Sequence, residues 1–479
     1  MRGMIVLLLS SLSLLTLAKV SASTELAQAP APGPSSASAP AQAPAPGTTF
    51  SPVPQDPISY LPVIPGGRGF GMSTRAGRGG AVYRVTNTNS RGAGSFRACA
   101  EASGPRVCIF EVSGYIDISP ELRIYNPYLT IAGQTAPSPG ITLRGGKLII
   151  ATSDVLVQHI RVRVGDGPGS DPDDRDALTI DGYKRSPSNP VENVVVDHCS
   201  FSWSIDEVVS AWWYTDQITL SNNIIAQPLH RSLHPKGPHG FGVIFGHAPG
   251  SISMLYNIMA HNTDRSPNSR AEHFAMLNNT VYNWTWYATR LTGEEDLGIA
   301  PPATNSSVIG NMYIPGPDTI FERLPIEVLN PNSATKVYVS DNAGFRQSGD
   351  PMSMVEWSSG LEERQASYSA PSGTILEGIV AASPGQAHDF VLVHAGARPK
   401  DRDSVDIGVI NEIKSRAGTT INCVSADGSE RCQKNAGGWP SMPMNRITHT
   451  LPANPSGDDD GNGYTNLEEW LHQKAAALE

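Results

Sequence analysis

Between residues 155 and 342 the chain repeats one short phrase: an apolar or alternating run, a small polar residue, then a fixed position before apolar residues resume. The runs are Val194-Val195-Val196-Asp197-His198-Cys199, Ile218-Thr219-Leu220-Ser221-Asn222-Asn223 and Ile252-Ser253-Met254-Leu255-Tyr256-Asn257. They continue as Phe274-Ala275-Met276-Leu277-Asn278-Asn279, Ser306-Ser307-Val308-Ile309-Gly310-Asn311 and Val337-Tyr338-Val339-Ser340-Asp341-Asn342, and Val155 to Ile160 fits upstream. The fixed position reads Cys199, Asn223, Asn257, Asn279, Asn311, Asn342, at spacings of 24, 34, 22, 32 and 31 residues. A near-constant minimum with variable excess is what stacked coils give when loops are inserted between strands. Asparagines stacked on successive coils can hydrogen-bond along the column, and asparagine tolerates the left-handed backbone of a tight bend. A β-sandwich would carry turn asparagines without a fixed column. The expected fold is all-β: a right-handed, single-stranded parallel β-helix with inserted loops.

The flanks read differently. Residues 1–22 carry Arg2, an apolar run from Ile5 to Leu17 and small residues at Val20-Ser21-Ala22, the pattern of a secretory signal peptide. The run is too short to span a bilayer, and no later segment is long enough, so no membrane partner is expected. Residues 23–58, rich in Ala, Pro and Ser, lack the apolar content to bury a core and read as an extended linker. The β-helix is expected over 59–345, a C-terminal extension packing on it over 346–450, and a calcium-loop tail with a short helix over 451–479.

Composition sharpens this picture modestly. With 46 Gly, 39 Pro and 17% charged residues, the body is turn-rich. Five cysteines in a secreted chain are too few for a disulfide scaffold. Cys99 with Cys108 and Cys423 with Cys432 suit two local bridges, leaving Cys199 as a buried free thiol. A net charge of −10 argues against a nucleic-acid partner and requires a local basic patch for any polyanionic substrate. A monomer is expected. Glycosylation sequons fall at Asn278, Asn283 and Asn305, the first of them within a coil.

One stretch carries candidate chemistry: His261-Asn262-Thr263-Asp264-Arg265-Ser266-Pro267-Asn268-Ser269-Arg270. Proline keeps this backbone out of the helical region, and two nearby guanidinium forks match carboxylates. Upstream lie Gly79-Gly80-Ala81-Val82-Tyr83-Arg84-Val85-Thr86, Gly94-Ser95-Phe96-Arg97 and Leu129-Thr130-Ile131-Ala132-Gly133-Gln134, then Val195-Val196-Asp197-His198-Cys199-Ser200 and His234-Pro235-Lys236. In this order, from about Gly66 to Pro315, the chain resembles polysaccharide lyase family 1, the pectate lyases.

The resemblance implies Arg265, first arginine of Arg-x-Pro-x-x-Arg, as general base, with Lys236 and Arg270 binding substrate carboxylates. It implies a Ca2+ site at Asp174, Asp176, Asp206 and Ser210. Ser210 departs from the family's acid, so either the ion binds more weakly or Glu207 substitutes. Asp174 and Asp176, two apart, would share one face of a strand. The implied reaction is calcium-assisted β-elimination on α-1,4-polygalacturonate (de-esterified pectin), giving 4,5-unsaturated oligogalacturonides. Crowding by Lys236, Arg270 and the cation is expected to push Arg265 toward its neutral form and favour alkaline pH.

Alternatives are a pectin lyase acting on methyl esters without calcium, and a non-catalytic β-helical polysaccharide-binding protein. Asp174, Asp176 and Asp206 oppose the first; the retained Lys236, Arg265 and Arg270 oppose the second. Asn262-Thr263-Asp264, Asp173-Asp174 and Gly237-Pro238-His239-Gly240 resemble polygalacturonase elements in reversed order, against hydrolysis. His198, adjoining the column, reads as structural. The glycines from Gly66 to Gly80 lack the Lys-Ser/Thr of a phosphate loop. In the tail, Asp458, Asp460, Asn462, Tyr464, Asn466 and Glu469 take the ligand positions of a twelve-residue calcium loop, with Gly463 at its turn.

Overall fold

The computed structural model describes residues 60–247, 249–292, 304–329, 335–357 and 379–479. The expected signal peptide (1–22) and linker (23–58) lie outside the described residues. Three parallel sheets wind into a β-helix. The first holds ten strands, from Ala81–Val85 to Lys336–Ser340. The second holds nine, from Glu121–Ile124 to Val355–Trp357, and the third nine, from Gly114–Asp117 to Ala343–Gly344. Each coil lends one strand to each sheet, so a residue's partners lie one coil away and the repeat becomes a stack.

Register follows the repeat. Val194, Ile218, Ile252, Phe274, Ser306 and Val337 align across the first sheet. The fixed column forms a hydrogen-bonded ladder. The Oδ1 of Asn257 accepts from the backbone N–H and Nδ2 of Asn223, each at 3.0 Å. Asn279, Asn311 and Asn342 repeat the arrangement at 2.8–3.0 Å. The residue before each column member turns the chain with positive φ: His159, His198, Asn222, Tyr256, Asn278, Gly310 and Asp341. Between the sheets lies a continuous core of Val, Ile, Leu, Phe and Met.

Among the described residues four helices lie against this core, of which only the short helix of the tail was expected. Helix α1 (Phe96–Ala100), capped by Ser95, is tied to strand Arg106–Phe110 by the Cys99–Cys108 disulfide. Helices α2 (Pro384–His394) and α3 (Ser404–Ser415) press Val391, Leu392, Val409, Ile410 and Ile413 onto Ile224, Ile258 and Tyr282 of the third sheet. The α3 cap residue Asp403 and Asp406 also pair with buried Arg163, at 2.5 and 2.9 Å. Helix α4 (Asn466–Ala476) lays Leu467 and Leu471 on Val107 and Ile109 of the first sheet. Within the expected extension, α2 and α3 thus lie along the third sheet.

The coils outrun the expected boundary at 345, because Val355–Trp357 pairs with Ile326–Leu329. Cys423–Cys432 is also bridged, and Cys199 is free and buried. The sequon residues Asn278 and Asn283 are fully buried and hydrogen-bonded, out of reach of a glycan, whereas Asn305 is half-buried. Among the described residues no helix is long and apolar enough to cross a membrane.

Candidate active site

Five consecutive strands of the second sheet begin at Lys147, Leu178, Glu207, Phe241 and Asn268. The turns feeding these strand starts bring distant residues together at the coil spacing of about 4.8 Å. They line a cavity of 580 Å³ that includes Lys147, Asp174, Asp176, Asp206, Glu207, Ser210, Lys236, His239 and Arg265. Arg265 takes a left-handed backbone (φ 62°), and its guanidinium lies 4.2 Å over the Phe241 ring.

Three carboxylates converge. One oxygen each from Asp176, Asp206 and Glu207 lies within 4.8 Å of the others. Asp176 is buried and accepts from Ser210 Oγ at 2.5 Å, Thr179 Oγ1 at 3.0 Å and the Glu207 backbone N–H at 3.1 Å. Burial, then the Glu207 charge, pushes Asp176 up to about 7. Burial and Asp176 raise Asp206 to about 7. Burial and Asp206 do the same for Glu207, against the pull of Arg265. Three acids that raise one another have surplus negative charge to share. An all-oxygen carboxylate set is what a hard divalent cation such as calcium takes, and these residues fit one.

The fit is not the expected one. Asp174 closes a 3-10 turn (Pro172–Asp174) and Asp176 precedes strand Leu178–Gly182, so the two are not strand neighbours on one face. The Asp174 carboxylate turns instead to the buried ammonium of Lys147, 2.5 Å away. Ser210 donates to Asp176, and Glu207 supplies the third carboxylate. Arg265 is ion-paired to Glu207, so its nearest partner is an anion, where a crowd of cations was expected. Lys236, with a side chain 70% exposed, reaches over the rim and pairs with Asp173 at 2.8 Å. Arg270 does not line this cavity; it follows the short strand Asn268–Ser269, and its backbone N–H bonds Phe245 O at 3.0 Å.

Sequence reasoning missed several lining residues. Lys147 carried no motif; its first position in a strand two coils before Glu207 would have signalled it. His239, set aside with the hydrolase-like segments, lies 3.1 Å from Asp206 and stacks on His234 at 3.5 Å. Tyr183, Trp212, Trp213 and Arg123 extend the same wall. His198 and Asp264 lie off the cavity, His198 bonded to Asp197 at 2.8 Å and Asp264 ion-paired to Arg290 at 3.0 Å.

In the tail, Asp458 accepts from the backbone N–H groups of Gly461, Asn462 and Gly463, at 2.8–3.1 Å. The Asn462 amide bridges Asp460 at 3.0 Å and Glu469 at 2.8 Å. Asp458, Asp460 and Asn462 share one exposed loop, and half-buried Glu469 faces it from the first turn of α4. The Asn466 amide points elsewhere, tying the loop to the backbone of Ala453, Asn454 and Asp459. Tyr464 uses its hydroxyl on Pro62 O at 2.7 Å and its backbone N–H on Asn462.

No family model matches the chain. It is 31% identical over 429 residues to a protein of Aspergillus flavus named probable pectate lyase C, covering 86% of this chain and 94% of that one. A like-named protein of Aspergillus fumigatus is 30% identical over 433 residues, covering 87% and 94%. Pectate lyase 5 of Ambrosia artemisiifolia is 28% identical over 354 residues, covering 66% and 81%. Among solved structures, the cedar-pollen allergen jun a 1 aligns with a TM-score of 0.49 at 18% identity, covering 69% of this chain and 92% of that one.

Proposed function

The chain belongs to the pectate lyase family of polysaccharide lyases, and from that premise we propose that it is a secreted lyase cleaving de-esterified α-1,4-polygalacturonate by calcium-assisted β-elimination. The observation that carries this reading is the convergence of Asp176, Asp206 and Glu207 in one cavity with Arg265 and Lys236. Asp176, Asp206 and Glu207 are the residues that would hold calcium, with Asp174 joining only by releasing Lys147. A bound calcium supplies positive charge that acidifies the proton at C5 and offsets charge on the C6 carboxylate.

The chain's own residues do the rest. Lys236, exposed and on a flexible stem, meets a substrate carboxylate from solvent, which a buried cation could not do without a desolvation cost. Arg265 lies beside the carboxylate cluster and takes the C5 proton. The C5–H bond breaks, its electrons form the C4=C5 double bond, and the C4–O bond breaks with its electron pair on the leaving sugar's oxygen, which takes a proton from solvent. With the Glu207 carboxylate engaged by a cation, the Arg265 guanidinium is released from its ion pair and can turn to the substrate. Arg270, outside the cavity, would bind a substrate carboxylate, as the resemblance implies. In the tail, Asp458, Asp460, Asn462 and Glu469 would hold a structural calcium.

The test follows ultraviolet absorbance of unsaturated uronide ends on polygalacturonate and on highly methylated pectin, each with calcium and with chelator. Absorbance rising only on polygalacturonate with calcium, and lost in Arg265→Ala, is the expected result. Chelator-resistant activity on methylated pectin, or new reducing ends without absorbance, would overturn it.

A further inference from the structure

The active-site cavity is divided along its strands. Most of its charged residues gather where strands of the second sheet begin, and its aromatic residues stand where two of them end. Trp212 and Trp213 close strand Glu207–Trp213, in register with Asp181 and Gly182 of strand Leu178–Gly182, and Tyr183 follows the latter. All three aromatics line the cavity. Residues two apart on a strand share a face, so Trp212 stands about 7 Å along the wall from Ser210, whose hydroxyl donates to Asp176. The aromatic end therefore adjoins the carboxylate cluster.

These rings are braced. Gly246 lies opposite Trp212 on the next coil, and a Cβ there would run into three carbons of the indole, so glycine is what lets the ring cover the neighbouring strand. The buried His247 ring is stacked on Trp213 at 4.4 Å and meets Trp212 edge-on at 4.5 Å. Tyr183 is tilted against Trp213 at 5.7 Å. Charge at this end is already paired. Arg123 holds Asp181 at 2.5 Å and Glu121 at 3.3 Å, and Lys184 lies over the Tyr183 ring at 5.3 Å, off the cavity. A carboxylate set against Trp212 would give up water and face Asp181, with no free cation among the residues lining this end. A neutral, partly apolar group would pay neither penalty.

One face of a galacto-configured pyranose presents the C–H bonds of C3, C4 and C5, and such a face packs on an aromatic ring. Methyl esterification at C6 removes the sugar's charge and adds a methyl group. We propose that Trp212, braced by Gly246 and His247 and flanked by Trp213 and Tyr183, is a specificity-determining platform for a methyl-esterified galacturonate unit adjoining the reacting one. This assignment, which rests on the lyase reading above, leaves the reacting unit its free carboxylate for the cation and gives the ester to its neighbour. The preferred substrate class is then partly esterified pectin.

Initial rates of absorbance are taken with calcium on polygalacturonate and on partly, randomly esterified pectin, for wild type, Trp212→Ala, Trp212→Phe and Gly246→Ala. Trp212→Ala is expected to lower the ratio of kcat/KM on esterified pectin to that on polygalacturonate about three- to tenfold, through KM rather than kcat. Trp212→Phe should restore most of the ratio. Gly246→Ala, whose Cβ displaces the indole, should copy Trp212→Ala and stands in for it should that variant fold poorly. Mass spectrometry should find esters beside the newly formed ends of wild-type products more often than chance, a bias lost in Trp212→Ala. An unchanged ratio in both Trp212→Ala and Gly246→Ala would overturn the proposal. Calorimetry with esterified and free trigalacturonate, in an Arg265→Ala background with calcium, reads the platform without turnover. There Trp212→Ala should cost the ester about three- to tenfold more affinity than the free acid, and equal losses would overturn the platform. Wild type silent on polygalacturonate would refute the lyase reading, and the calorimetry would still decide the platform.

Discussion

Replacing Asp176 by Asn should stabilise the calcium-free protein at alkaline pH and abolish stabilisation by calcium at the active site. Asp176 is buried, and its charge is disfavoured first by burial and then by Glu207 and Asp174, raising it from its ordinary 3.8 to about 7. Below the unfolded value both states hold the proton and the carboxyl costs nothing. As pH climbs toward 7 the unfolded chain releases its proton first, so native stability falls, and above 7 the penalty is complete. At about 1.4 kcal/mol per pH unit, that span sets a ceiling of about 4 kcal/mol. Charge shared with Asp206 and Glu207 makes about 2–4 kcal/mol the reasonable gain. Asparagine keeps the packing: its oxygen can still accept from the Glu207 N–H, and the Ser210 and Thr179 hydroxyls can rotate to accept from its amide. Urea unfolding at pH 4, 6 and 9, with chelator and with calcium, reads the effect. Asp176→Asn should match wild type near pH 4, exceed it at pH 9 in chelator, and lose calcium's added stability. A variant less stable than wild type at pH 9 in chelator would refute the idea that the cluster stores repulsion for a cation.

Three further outcomes are expected. Asn257→Ala removes a buried rung of the ladder and orphans the Asn223 N–H and Leu220 C=O, costing about 3–5 kcal/mol in urea unfolding while activity per folded molecule is kept. Ser210→Asp adds a carboxylate beside Asp176 and should tighten calcium binding about tenfold by calorimetry, while lowering chelated stability at pH 9 by about 1–3 kcal/mol. Lys147→Met frees Asp174 from its ammonium; if Asp174 then turns to the cation, calcium affinity rises about tenfold, and unchanged affinity would show that Asp174 stays out of the site.

The sequence alone determined the coil architecture, because a parallel β-helix is local: each strand meets its equivalent one repeat away, so the apolar phrase and its asparagine column translate directly into register. Arg265, Lys236, Asp176 and Asp206 came instead from the family resemblance, and the folded coils gather all four around one cavity. Side-chain pairing across coils was not legible, since it depends on loop lengths that only the folded turns decide. The 3-10 turn at Pro172–Asp174 carried Asp174 to Lys147, which no motif marked. Of the two outcomes left open at Ser210, the fold shows Glu207 beside Asp176 and Asp206, with Ser210 donating its hydroxyl to Asp176. Arg270, one strand beyond Arg265, fell outside the cavity. The meeting of Glu479 with His159 and His198 joins residues some three hundred positions apart, through helices whose docking on the coils no repeat encodes. Tertiary structure alone decided it.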